Sequence, residues 1–158
     1  MEAITITLNG REVSGHPGMT ILDLARESDV AIPTLCYDAH LTSTGACRIC
    51  LVEDERTSAL SASCVTPIAA GMVINTDSPK VRERRKIIVK LMLASHPDSC
   101  LVCDKGNRCQ LRQIAAELGL DPKTVAKWMA WYREEGEAGL ASTVGTGRPR
   151  TLSPKQEA

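Results

Sequence analysis

The sequence predicts an α+β fold, a small mixed sheet holding one helix, followed by a helical part. Three observations carry this reading. Ile4, Ile6 and Leu8 alternate with threonine and run into Asn9-Gly10, a strong hairpin signal. Thr20 stands where a helix N-cap belongs, just before Ile21, Leu22, Leu24 and Ala25. From Ser78 onward, helix starts replace the strand patterns.

Taken in order, Ile4 to Leu8 and Arg11 to Ser14 form the first two strands, and the helix after Thr20 ends before Ala31-Ile32-Pro33. Thr34 to Ala46 is polar and irregular, after which Arg48 to Glu53, Ala59 to Val65 and Met72 to Asn75 read as three more strands. Ser78-Pro79 opens a helix reaching about Ala94, in which Val81, Ile88, Leu91 and Met92 can share an apolar face. Its cluster of Arg82, Arg84, Arg85 and Lys86 is read as a solvated face, the alternative being a docking surface for an acidic partner. A further helix over about Gln110 to Leu118 is stopped by Gly119, and Asp121-Pro122 opens another through about Glu135. Past Gly136, the Gly, Ser, Thr and Pro content predicts a mostly flexible tail.

Composition narrows the function classes. The 158 residues carry 19 Lys+Arg against 19 Asp+Glu, which removes any strong electrostatic case for a nucleic-acid or membrane-surface protein as a whole. The longest apolar stretch, Ile87 to Ala94, is broken by Lys90 and falls far short of the roughly 20 residues that span a bilayer. The N-terminus lacks the basic start and apolar centre of a signal peptide, so the expected compartment is the cytoplasm. Only 3% of residues are aromatic and none is Phe, so burial rests on small aliphatic side chains, and a metal staple would help such a chain fold.

Seven cysteines in a reducing compartment are poor disulfide material, and an odd number cannot all pair within one chain. Cys36, Cys47, Cys50 and Cys64 have the spacing C-x10-C-x2-C-x13-C. Four thiolates converging from loops of a small sheet domain suit a 2Fe-2S cluster, and Gly45 and Ala46 would let backbone amides approach its sulfides. A four-cysteine zinc site is the alternative, although zinc sites usually present two C-x2-C pairs and here the outer two cysteines stand alone. His96, Cys100, Cys103 and Cys109, spaced H-x3-C-x2-C-x5-C, form a second set. Alone it would suit zinc; beside the first set it reads as a 4Fe-4S site. His16 and His40 have no such context and are expected to be exposed loop residues.

The stretches IPTLCYDAHLTSTGACRICLVE, GMVINTDSP and LASHPDSCLVCDKGNRCQL, within about Ile4 to Gly119, resemble the N-terminal iron-sulfur region of the large cluster-bearing subunit of NADH dehydrogenase, respiratory complex I. The same module occurs in the diaphorase small subunit of NAD-reducing hydrogenases, in iron-only hydrogenases and in NAD-dependent formate dehydrogenases. The resemblance covers about three quarters of the chain and implies a ferredoxin-like domain of beta-grasp type over residues 1–78, with Cys36, Cys47, Cys50 and Cys64 on a 2Fe-2S cluster. It implies a 4Fe-4S domain over residues 79–119 with one-histidine, three-cysteine ligation by His96, Cys100, Cys103 and Cys109. The first spacing departs from that of plant-type ferredoxins, whose first two ligands are four residues apart, and agrees with the complex I type.

Family members usually continue into further cluster motifs or a catalytic domain, whereas this chain has no cysteine after Cys109. Residues 120–158, together with the helix before them, resemble a transposase-type helix-turn-helix. Ala115 would pack in its first helix, Gly119 would make the turn, and Val125 and Trp128 would lie inward on the second. Lys123, Thr124 and Lys127 would face a major groove, with Arg148 and Arg150 reaching phosphates or a minor groove. Seven Lys+Arg against six Asp+Glu from Gln110 to Ala158 is hardly a basic footprint. The alternative is that Trp128, Met129 and Trp131 cover apolar surface or dock on a partner. The segment IAAELG fits both families, so a truncated iron-sulfur subunit joined to transposase-like sequence at that helix explains both halves.

No triad, phosphate loop or acid-base pair is visible, so the expected chemistry is one-electron transfer, with no substrate turned over by the chain alone. The resemblance implies as partners a flavoprotein NAD(P)H-oxidising subunit and a terminal oxidoreductase subunit, with the assembly cytoplasmic or peripheral on the cytoplasmic face of the membrane. An iron-sulfur DNA-binding regulator is the reading from a different class, and a zinc-stapled interaction domain a third.

Overall fold

The structure is a computed structural model and describes residues 3–96, 103–105, 108–121 and 130–136. Five strands form one mixed sheet in the order β2-β1-β5-β3-β4, with β1 Ile4–Leu8, β2 Arg11–Gly15, β3 Leu51–Asp54, β4 Ala59–Ala62 and β5 Val73–Asn75. The hairpin forms where Asn9-Gly10 directs it, both residues adopting positive φ. Beside it β5 runs parallel to β1, pairing Thr7 with Val73 and Leu8 with Ile74. Asn9 ties this junction together, donating from its amide to Thr76 Oγ1 at 2.8 Å and accepting from the Thr76 N–H at 2.9 Å.

Helix α1, Ile21–Glu27, packs on the sheet through Ile21, Leu22, Leu24 and Ala25, which join Ile6, Leu8, Val52 and Ile74 in the main core. Thr20 caps it through a reciprocal box. Its Oγ1 accepts from the Asp23 N–H at 3.2 Å, and Asp23 Oδ2 accepts from the Thr20 N–H at 3.1 Å. Burial raises the Asp23 carboxyl's pKa, but hydrogen bonds from Thr20 and the Tyr37 hydroxyl, with the Arg26 charge, outweigh it and hold the group below its ordinary value. A carboxyl depressed on folding stabilises above its unfolded pKa of about 3.9, and that contribution is lost as pH falls through the native value. Thr20→Ala is therefore expected to cost about 1 kcal/mol at neutral pH and less in acid. Urea titrations at both pH values would read this, and an equal loss at both would contradict the reciprocal cap.

Helix α2, Pro79–Ala94, starts where Ser78-Pro79 predicts, with Ser78 Oγ accepting from the Val81 N–H. Its buried stripe differs from the expected one. Val81, Arg85, Val89 and Leu93 point inward at steps of four, Ile88 and Met92 are half-buried, and Leu91 is 66% exposed. Val89 and Leu93 build a second core with Ile114, Ala115 and Leu118 of α3, Gln110–Glu117, and with Ile49 from the loop before β3. Gly119 at φ 69 ends α3 in the left-handed conformation expected of it.

Two expected strands are shorter. Arg48 to Cys50 is not extended: Arg48 has φ 56, and the chain turns there before β3 begins. Strand β4 stops at Ala62 because the N–H groups of Val65 and Thr66 turn back to the Ala62 carbonyl, at 3.2 Å each. Both departures occur where a cysteine must leave the sheet. Residues 130–135 are helical, as expected of the third helix, with Trp131 and Tyr132 exposed. Lys123, Thr124, Val125, Lys127, Trp128, Met129, Arg148, Arg150 and the expected flexible tail lie outside the described residues. No helix among the described residues is long and apolar enough to cross a membrane.

Candidate metal centres

The first cysteine set is assembled from three places. Cys36 lies in the irregular segment after α1, Cys47 and Cys50 frame the turn before β3, and Cys64 lies in the turn out of β4. The sulfurs come together as two pairs. Cys50 Sγ lies 3.4 Å from Cys64 Sγ, both residues almost wholly buried in the main core, while the side chains of Cys36 and Cys47 interact with each other. Cys47 packs against the second core, and Cys36 is exposed.

The turn's backbone serves this arrangement. Gly45 is buried with φ 64, and a Cβ there would press on Val65 Cγ2 at 3.1 Å, so both the left-handed backbone and the tight space favour glycine. Ala46, by contrast, is exposed. Burial raises the Cys47 pKa, yet the backbone of Ile49, the Cys36 side chain and the backbone of Leu35 and Cys36 together hold the thiol below its ordinary value. Cys64 shows the reverse: burial, the hydrogen bond shared with Cys50 and the charges of Cys50, Cys36 and Cys47 push it up to about 12. Four thiolates this close repel one another, and bound metal supplies the positive charge that lets all four ionise.

Among the described residues no three His, Cys, Asp or Glu side chains gather tightly enough for one metal ion. Two sulfur pairs suit two bridged irons better than a single tetrahedral ion. Ser63, next in the chain to Cys64, is fully buried, and its hydroxyl has no hydrogen-bond partner among the described residues.

In the second set, His96, Cys103 and Cys109 line one small cavity of about 50 Å³ with Leu93, Lys105, Leu111 and Arg112. His96 follows α2 closely, and Cys109 is the N-cap residue of α3 without any side-chain cap bond, leaving its sulfur for another role. Cys100 lies outside the described residues. His16 and His40 are exposed, as expected.

One residue of this region escaped the sequence reading. Arg85, placed there in a solvated basic face, is 4% exposed. It donates from Nε to the Ile49 carbonyl at 2.9 Å and from Nη2 to the Leu51 carbonyl at 2.6 Å, the two carbonyls flanking Cys50. Its position four residues from both Val81 and Val89 was the available signal.

Known proteins share this architecture. Residues 1–79 match the 2Fe-2S iron-sulfur cluster binding domain family, half of the chain. The chain belongs to this family. Residues 85–123 match the NADH-ubiquinone oxidoreductase-G iron-sulfur binding region, and residues 110–141 a homeodomain-like domain, so α3 falls within both of the latter. The chain is 39% identical to the NADH-ubiquinone oxidoreductase 78 kDa subunit of Candida albicans, over 75% of this chain and 16% of that protein. It is 41% identical to the NADP-reducing hydrogenase subunit HndD of Solidesulfovibrio fructosivorans, over 89% of this chain and 25% of that one. Its backbone superposes on a chain of the NAD+-reducing [NiFe]-hydrogenase crystal structure with a TM-score of 0.69 at 28% identity, covering 75% of this chain and 50% of the other. Thus the chain spans a quarter or less of the length of these curated relatives. The two iron-sulfur matches bear out the expected cofactors, one 2Fe-2S and one 4Fe-4S cluster.

Proposed function

We propose that the chain is an electron-transfer module of an NAD(P)H-linked oxidoreductase of the NADH dehydrogenase, hydrogenase or formate dehydrogenase type. It relays single electrons between a 2Fe-2S cluster on Cys36, Cys47, Cys50 and Cys64 and a 4Fe-4S cluster on His96, Cys100, Cys103 and Cys109. The observation that carries this is the pairing of Cys50 with Cys64 and of Cys36 with Cys47, together with a separate cavity lined by His96, Cys103 and Cys109. Residues 1–78 make up the 2Fe-2S domain and 79–119 the 4Fe-4S domain. The partners are a flavoprotein NAD(P)H-oxidising subunit and a terminal oxidoreductase subunit, and the assembly works in the cytoplasm or on the cytoplasmic face of the membrane. Mixing the anaerobic protein with such a flavoprotein and NADH tests the relay: bleaching of the cluster absorbance supports it, and unchanged spectra reject it.

The second ligand set has its own test. A neutral imidazole in place of a thiolate makes a cluster less negative and raises its potential. His96→Cys is therefore expected to lower the midpoint potential of the 4Fe-4S cluster in an EPR-monitored titration. An unmoved potential in a variant keeping four irons at that site would remove His96 from the ligand set.

The homeodomain-like match favours a second reading, a DNA-binding regulator. Against it, α3 buries Ile114, Ala115 and Leu118 in a core shared with α2 and the Cys47–Cys50 turn, so that helix serves the iron-sulfur part. The hydrogenase alignment covers a share of the chain that must reach well beyond α3, which speaks for a continuous origin over a transposase graft. A sequence-specific DNA complex weakening with salt would reverse the preference.

A further inference from the structure

We propose that Arg85 is a positioning residue for the 2Fe-2S cluster: its buried guanidinium fixes the carbonyls on either side of Cys50 and places a positive charge beside the cluster, raising its reduction potential. This rests on the reading that Cys50 is a ligand. A guanidinium taken out of water is costly unless its donors are satisfied, and here two of them are spent on the backbone of the ligand turn. The counter-charge is weak. Asp77 Oδ1 lies 3.9 Å from Arg85 Nη1, is itself 60% exposed and also accepts from Arg82 Nε at 3.1 Å. Glu117 and Cys50 also act on Arg85 electrostatically. With so little neutralisation at close range, the charge acts on whatever gains an electron at Cys50.

Reduction adds one negative charge to the cluster, and a cation held in a water-poor site favours the reduced form. The outer partners of metal ligands tune a centre in this way while also orienting the ligands. Arg85 combines the two roles, because the same donors that orient Ile49 and Leu51 carry the charge.

Substitution separates them. Arg85→Gln keeps a donor and removes the charge, whereas Arg85→Lys keeps the charge. In the full chain, purified without oxygen, the Gln variant is expected to retain the 2Fe-2S EPR signal with a potential lower by about 59 mV or more, at least tenfold in the one-electron equilibrium constant. The Lys variant is expected to stay near the parent value. A loaded Gln variant with the parent potential overturns the proposal. If the Gln variant does not hold iron, the Lys variant decides: a loaded Arg85→Lys protein whose potential falls by about 59 mV or more despite the retained charge overturns the proposal. Absence of any 2Fe-2S signal from the parent chain would instead defeat the ligand reading, so the two failures are distinct.

Discussion

Replacing Cys64 by alanine is expected to remove two irons and two sulfides per chain, taking the anaerobic protein from about six of each to about four. The sulfur of Cys64 pairs with Cys50 in the main core, away from solvent. With its partner gone, Cys50 holds its iron by a single thiolate, and the exposed Cys36 with Cys47 cannot retain both metals. Iron, acid-labile sulfide and zinc measured in one sample decide the matter. An unchanged count in the variant would exclude Cys64 as a ligand, and zinc without sulfide in the parent would overturn the electron-transfer reading. Stability should fall with the metal, since thiolate sites formed on folding contribute their binding free energy to the folded state.

The second large effect is expected at Ile49. This side chain is fully buried among Val89, Leu93, Ile114 and Ala115, yet it belongs to the turn that frames Cys47 and Cys50. Ile49→Ala should cost about 2–5 kcal/mol through lost burial and an unfilled cavity. The loss reaches both centres, because α2 and α3 carry His96 and Cys109 from the far side of the same core. Thermal unfolding of the anaerobic protein should show a lowered midpoint with faster loss of both cluster absorbances. A loss below about 1 kcal/mol would mean the second core tolerates the gap by collapse.

Much of this was legible in the sequence because local chemistry dictated it. Asn9-Gly10, Thr20, Ser78-Pro79 and Gly119 each mark an element boundary by side-chain or backbone conformational preference, and each sits where it was read. The two cysteine-rich sets were legible as patterns, being a matter of spacing along the chain. What failed depended on tertiary placement. Arg48 to Cys50 has the β-like composition of a strand, but the positive φ of Arg48 and the insertion of Ile49 into a separate core bend it out of the sheet. The Arg85 error came from treating four basic residues as one face. Three are exposed, and the fourth is held inside by carbonyls that become neighbours only after folding.

Helix α2 acts as a gauge between the two centres. Arg85 grips the turn at Cys50, and the helix then advances nine residues to Ala94, roughly 14 Å at about 1.5 Å per residue, before delivering His96. A gauge of this kind sets phase as well as length. One residue inserted between Arg85 and Ala94 would swing His96 by about 100° around the axis, away from Cys103 and Cys109. The exposed positions of that stretch, Lys86, Ile87, Lys90 and Leu91, can vary, whereas its length and the inward Val89 and Leu93 cannot, so the interval from Arg85 to His96 should resist insertion and deletion more strictly than it resists substitution of its outer face.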